Sequence, residues 1–171
     1  MAEHTGIAKV SFTGSTEVGK RIVQASVSNL KRIGLELGGK GANVVFADAN
    51  IPAAVGGSAF AIFHNQGQAC IAGSRLILHE SIAEEFLDRF VKLAQSIKIG
   101  NPLDATTEMG PLTSLGHRDK VLGYTEIARE QGGTVLTGGA APKDRPELAK
   151  GYYVQPTVVM AKPGDRVSCE E

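Results

Sequence analysis

Cysteine is scarce in this sequence: Cys70 and Cys169 are the only two among 171 residues. Two cysteines so far apart cannot form a disulfide framework or a cysteine-based zinc site. Charge of one sign is also missing. Eighteen Lys and Arg balance eighteen Asp and Glu, for a formal net charge of zero. A nucleic-acid-binding chain carries a basic excess, so that class is set aside, and no nucleic-acid partner is expected. Long apolar runs are absent too. None reaches the roughly 18 residues of a membrane-spanning helix, and the first residues do not form a secretory signal. No membrane partner is therefore expected. With few cysteines and no signal, a cytoplasmic setting is expected. Proline is sparse, 7 residues against 21 glycines. The glycines cluster between apolar runs, which suits tight turns and close backbone approaches rather than a flexible linker.

What is present is an alternation of short β-branched runs with amphipathic stretches. Residues 9–13 read as a strand that ends in a Gly-Ser-Thr turn. A helix is expected over 18–29, with Val18, Ile22, Val23 and Ser26 on one face. Residues 33–37 and 42–47 read as strands, and Pro52 suits the first turn of a helix running towards Asn65. Residues 67–73 form a glycine-flanked loop around Cys70, followed by a strand over 75–79. Ser81 and Glu84 have capping-box spacing at the start of a helix whose apolar face is Ile82, Phe86, Phe90, Leu93 and Ile97. Residues 100–111 are expected as loop, then a helix to about 130, a short strand over 134–136, and a last strand over 152–159. This order predicts an α/β layered fold with a largely parallel sheet.

Three segments could carry chemistry. Gly14, Gly19 and Lys20 have the spacing of a P-loop, but Arg21 stands where the Mg²⁺-binding hydroxyl is required. The segment still takes a strand through a Gly-Ser-Thr turn into a helix, and a helix start attracts phosphate. The plainer reading is a turn with a hydroxyl cap. Glu36 lies between Leu35 and Leu37 at a strand end, and alternation sends it to the opposite face. It is either a solvent-facing acid or a base in a partly apolar pocket. Cys70 is either a small buried hydrophobe or a nucleophile held at a cleft. A cysteine hydrolase would also need a histidine base, and His4, His64, His79 and His117 all have bland readings.

Taken together, these segments resemble the aldehyde dehydrogenase superfamily. Phe12-Thr13-Gly14-Ser15-Thr16 with Gly19 is similar to its strand-turn-helix at the nicotinamide cofactor. Leu35-Glu36-Leu37-Gly38-Gly39-Lys40 is similar to its general-base motif, and Gly67-Gln68-Ala69-Cys70 to its nucleophile motif. Gly100-Asn101-Pro102, Glu108-Met109-Gly110-Pro111 and Gln155-Pro156-Thr157-Val158 resemble further segments of the family.

The resemblance implies an incomplete three-layer, Rossmann-like parallel sheet flanked by helices. Residues 1–36 would be the end of an NAD(P)-binding domain, and 37–171 most of a truncated catalytic domain. It implies oxidation of an aldehyde to a carboxylic acid with NAD or NADP. Cys70 would be the nucleophile, passing through a thiohemiacetal and a thioester, and Glu36 the general base. Gly14, Ser15, Gly19, Leu37 and Glu171 would contact the cofactor, with Glu171 on the nicotinamide ribose, and no metal is expected. The partners would be a small aldehyde and, at full length, further copies of the same chain. The segment alone is expected to be inactive. Three other readings stay open: a non-catalytic remnant or binding module of the same fold, a coenzyme-A-acylating relative, and a cysteine hydrolase.

Overall fold

The computed structural model describes residues 1–170. Contacts gather these into two units, Met1–Gly39 and Lys40–Glu170.

In the first unit, strand β1 (Lys9–Gly14) leads through helix α1 (Thr16–Ser26) to strand β2 (Arg32–Leu37). The strands are parallel, in register from Lys9 opposite Arg32 to Gly14 opposite Leu37. Parallel strands need a crossover, and α1 supplies it. Val10, Phe12, Ile33, Leu35 and Leu37 are half-buried, whereas Lys9, Ser11, Thr13, Arg32 and Glu36 are exposed. The alternation thus gives the ribbon one apolar and one polar face.

Gly19 brings the helix onto the apolar face. It is the buried residue of α1, and a Cβ there would lie 2.9 Å from Leu37 Cδ2. Glycine lets the Leu37 methyls pack directly on the helix, and a larger side chain would have to displace them. Gly19→Val should force the two apart and destabilise the protein by about 1–3 kcal/mol, the usual cost of overpacking. Denaturant unfolding would measure it, and an unchanged midpoint would refute the close-packing argument.

The helix begins earlier than its apolar pattern suggested because Ser15 caps it, accepting from Val18 N at 3.3 Å. It also ends earlier. Residues 27–30 leave the helix, Leu30 takes a left-handed φ of 54°, and Asn29 donates to Thr5 O and Ile7 O. Lys31 is buried, with its Nζ donating to Ala2 O at 2.7 Å.

The second unit opens with β3 (Ala42–Val45), α2 (Ile51–Phe63), β4 (Arg75–Leu78) and α3 (Glu80–Ser96). β3 and β4 are parallel, with Ala42 opposite Arg75. Asn50 caps α2 by accepting from Ala53 N, and Pro52 sits in the first turn as expected. Val45, Val55, Ala59, Phe86 and Phe90 form the core cluster. Phe90 stacks on both Phe86 and Phe63, with ring centroids 6.0 Å apart in each pair. Phe86 is fully buried. Phe86→Ala should therefore cost about 3–5 kcal/mol, visible as a lowered thermal midpoint.

One expectation about α3 is corrected. Its cap is His79, whose Nδ1 accepts from Ser81 N at 3.3 Å, and Ser81 already lies inside the helix. A side-chain acceptor two residues ahead took the place of the expected hydroxyl.

The unit continues with α4 (Leu115–Glu130), β5 (Thr134–Thr137), β6 (Val158–Met160) and α5 (Arg166–Cys169). β6 runs antiparallel to β5, with an irregularity between Val135 and Thr137. The last strand is much shorter than the 152–159 expected. Tyr153 and Val154 are buried, but outside any ladder. Pro156 has no N–H to offer, and the backbone finds single partners instead, Gln155 N to Ala140 O and Leu112 N to Tyr152 O. No helix among the described residues is long and apolar enough to cross a membrane.

Candidate active site

Four of the residues expected at the cofactor meet in the first unit. Gly14 and Leu37 are register partners at the carboxyl ends of β1 and β2, Ser15 is the cap of α1, and Gly19 packs on Leu37. Ligands of open parallel sheets bind at this end of the strands. A Cβ at Gly14 would lie 2.5 Å from the Phe12 ring, which leans over this end of β1, so the strand end has no room for a side chain. The first turn of α1 carries Glu17, an acid close to where a phosphate would sit, but Glu17 is paired with Arg21. The capped helix start at the carboxyl ends of two parallel strands is an arrangement that fits a dinucleotide phosphate. Gly19 is buried between helix and strand rather than turned to this end.

Glu36 lies opposite Thr13 on the polar face of β2, where alternation places it. It is exposed. The partly apolar pocket expected around a base is not built by its neighbours in this unit, since Lys9, Ser11, Thr13 and Arg32 share its face.

Cys70 belongs to the second unit. It follows α2 and a short 3-10 turn, His64–Gly67, and is an exposed free thiol. Ala72 N donates to Ala69 O at 3.0 Å, which puts Cys70 and Ile71 at the two corners of a tight turn. The turn is framed on its far side. Ala72 is buried, a Cβ at Gly41 would lie 2.7 Å from Ala72 O, and Gly73 N donates to Ala61 O of α2. The thiol is thus displayed on a corner whose base is fixed, as a nucleophile requires.

Ahead of Cys70 lies a feature that sequence reasoning missed. Asn65, Gln66 and Gly67 have φ of 50°, 58° and 72°, three consecutive residues in the left-handed region. Asn and Gly tolerate it, but Gln66 is strained there. Asn65 followed by Gly67 is the only hint the sequence carries.

A cleft of about 530 Å³ opens beside β3 and α2. Ile71 and Gly73 line one end of it; Cys70 does not. Three of the histidine rings are occupied structurally: His64 stacks on Phe60 with centroids 4.8 Å apart, His79 caps α3, and His4 accepts from Gly6 N. His117 lies in the first turn of α4, where its backbone N donates to the Ser114 cap. Among the described residues no three His, Cys, Asp or Glu gather to hold a metal ion.

Glu171, expected on the nicotinamide ribose, lies outside the described residues. Its neighbour Glu170 is tightly held, accepting from Arg166 Nε at 2.8 Å and from Tyr124 OH at 3.0 Å. The Arg166 hydrogen bond, then that of Tyr124, holds the Glu170 carboxyl below the usual carboxylate range. Burial, then the bond to Glu170, pushes the Tyr124 hydroxyl up.

This fold, with a displayed cysteine and a strand-turn-helix cradle, defines a class when set beside known proteins. The aldehyde dehydrogenase family model matches residues 1–171. The chain is similar to betaine aldehyde dehydrogenase of Bacillus subtilis, with 46% identity over 92% of this chain and 32% of that protein. It is similar to mitochondrial aldehyde dehydrogenase of Sus scrofa, with 48% identity over 92% of this chain and 30% of that one. Among solved structures, a putative aldehyde dehydrogenase from Burkholderia cenocepacia superposes with a TM-score of 0.96 at 69% identity, over 99% of this chain and 35% of that one. PnpE in complex with nicotinamide adenine dinucleotide superposes with the same score at 68% identity, over the same shares of the two chains. The chain belongs to the aldehyde dehydrogenase family. It spans about a third of the length of the relatives it matches.

Proposed function

We propose that this chain is part of an NAD(P)-dependent aldehyde dehydrogenase that makes a free carboxylic acid. The observation that carries the reading is Cys70, an exposed thiol on the corner of a braced turn, in a chain of this family. The first unit, which carries β2 through Leu37 and ends at Gly39, is the end of the cofactor-binding domain, and the second unit is most of the catalytic domain. Gly14, Ser15, Gly19 and Leu37 form the cofactor cradle, and Glu171 holds the nicotinamide ribose.

As thiolate, Cys70 attacks the aldehyde carbon, and the carbonyl oxygen becomes an oxyanion that the Cys70 backbone N–H stabilises. When bound, NAD(P)+ supplies the hydride acceptor that makes the enzyme-bound adduct a thioester. Glu36 then takes a proton from water, the hydroxide adds to the thioester carbonyl, and Cys70 leaves as thiolate. A glutamate at this position favours water over coenzyme A as the acyl acceptor.

The test uses the full-length protein that contains this segment, an aldehyde panel, and the near-ultraviolet absorbance of reduced nicotinamide. Turnover yielding the free acid supports the reading. Bound cofactor with no turnover on any aldehyde would instead favour a binding module of the same fold. The 171-residue segment by itself is expected to turn over nothing, because its relatives are about three times its length. Aldehyde oxidation by the isolated segment would refute that expectation.

A further inference from the structure

The left-handed run before Cys70 is held from outside by two glutamine side chains, and both reach the same loop. Gln68 Oε1 accepts from Thr113 N at 3.0 Å. With the oxygen and nitrogen of its carboxamide exchanged, the Gln66 oxygen accepts from Gly110 N at 3.1 Å and its amide donates to Asn65 O at 3.0 Å; this orientation replaces a longer 3.3 Å bond from Gln68 Nε2 to the Gln66 oxygen. A third bond closes the run on itself, Asn65 Nδ2 to Gln68 O at 3.1 Å. The receiving loop is firm. Met109 and Leu112 are buried, Gly100 N donates to Met109 O, and Leu112 N donates to Tyr152 O.

Strain of this kind persists only where the surroundings over-determine it. Here the two carboxamides do so, and what they fix is the start of the turn that displays Cys70. We propose that Gln66 and Gln68 are positioning residues, two struts that dock the Cys70 turn on residues 108–113 and hold the thiol where it meets the aldehyde carbon. This rests on the proposed dehydrogenase reading for its consequence in catalysis, but not for the struts themselves. Neither side chain need touch substrate. Misplacing a reacting atom by an ångström can cost about 10²-fold in rate, so the struts act through geometry.

The test takes the full-length protein with Gln66→Asn, which tolerates the left-handed φ but is a methylene too short, and Gln68→Met, which keeps the volume and loses the acceptor. Cys70 alkylation by iodoacetamide is read by peptide mass spectrometry against Cys169 as internal reference, since Cys169 is also exposed. Amide hydrogen exchange is read at Gly110 and Thr113. Each variant is expected to change the Cys70-to-Cys169 alkylation ratio by about threefold or more and to speed exchange at the amide that lost its acceptor. kcat/KM for aldehyde should fall about tenfold or more with cofactor affinity unchanged. Gln68→Glu keeps an acceptor and should keep Thr113 exchange slow. An unaltered ratio in both variants would overturn the proposal, even if thermal stability and turnover fell together, because that pattern describes general loosening. A shifted ratio and faster exchange in a protein whose parent oxidises no aldehyde would leave the struts standing and remove the dehydrogenase reading instead.

Discussion

Cys70→Ala in the full-length protein should abolish aldehyde oxidation, lowering kcat by at least about 10⁴-fold, the scale on which loss of a covalent nucleophile acts. Alanine leaves no atom that can bond the aldehyde carbon, so the covalent route ends rather than slows. The fold should not notice. Cys70 is exposed on a turn corner, and the contacts that fix the turn come from the Ala72 and Gly73 backbone, not from the thiol. Cofactor affinity should also persist, because the proposed cradle residues Gly14, Ser15, Gly19 and Leu37 are unchanged by the substitution. Cys169 is the control. It is also an exposed free thiol, but it ends the short helix α5, with Ser168 Oγ 3.7 Å from its sulfur. Cys169→Ala should retain full activity. Steady-state rates with thermal melts and cofactor titration check all three statements. Residual turnover in Cys70→Ala within tenfold of the parent would show that the nucleophile lies elsewhere.

The strands and helices were legible where a single face had to be buried. Phe86 and Phe90 announced the inner face of α3, and the structure buries both. Leu35 and Leu37 announced the inner face of β2, and with it the outward placement of Glu36. Legibility failed where long-range partners decide the backbone. Pro156 and the irregular segment before it cut the last strand down to Val158–Met160. The antiparallel sense of β5 and β6 is a tertiary choice that no local pattern encodes. For the candidate site, the position of Ser15 between strand and helix and of Cys70 on a turn could be read from the glycines around them. The reason for Gly19 could not, because it depends on Leu37 arriving from eighteen residues further on, at 2.9 Å from the absent side chain. The left-handed run at residues 65–67 could not either, because a carboxamide of the same loop bonds Thr113, across a separation the sequence does not bridge.

Glu36→Gln should separate the two halves of the proposed reaction. Glutamine has nearly the shape of glutamate but cannot take a proton from water. Attack by Cys70 and hydride loss do not need that proton transfer, so the first turnover should proceed. Reduced nicotinamide should then appear as a burst close to one equivalent per site, followed by a steady state lowered by about 10²–10⁴-fold, the usual worth of a general base. The stalled species should carry the acyl group on the Cys70 peptide by mass spectrometry. Added hydroxylamine, a nucleophile that needs no base, should restore turnover. The substitution should be silent for stability, because Glu36 is exposed on the polar face of β2 and its register partner there is Thr13. A normal steady state would remove Glu36 from the mechanism. A lowered rate with no burst and no acylated Cys70 would mean that Glu36 acts before the thioester forms, as the base that makes the thiolate, and the assignment of the water-activating step would pass to another residue.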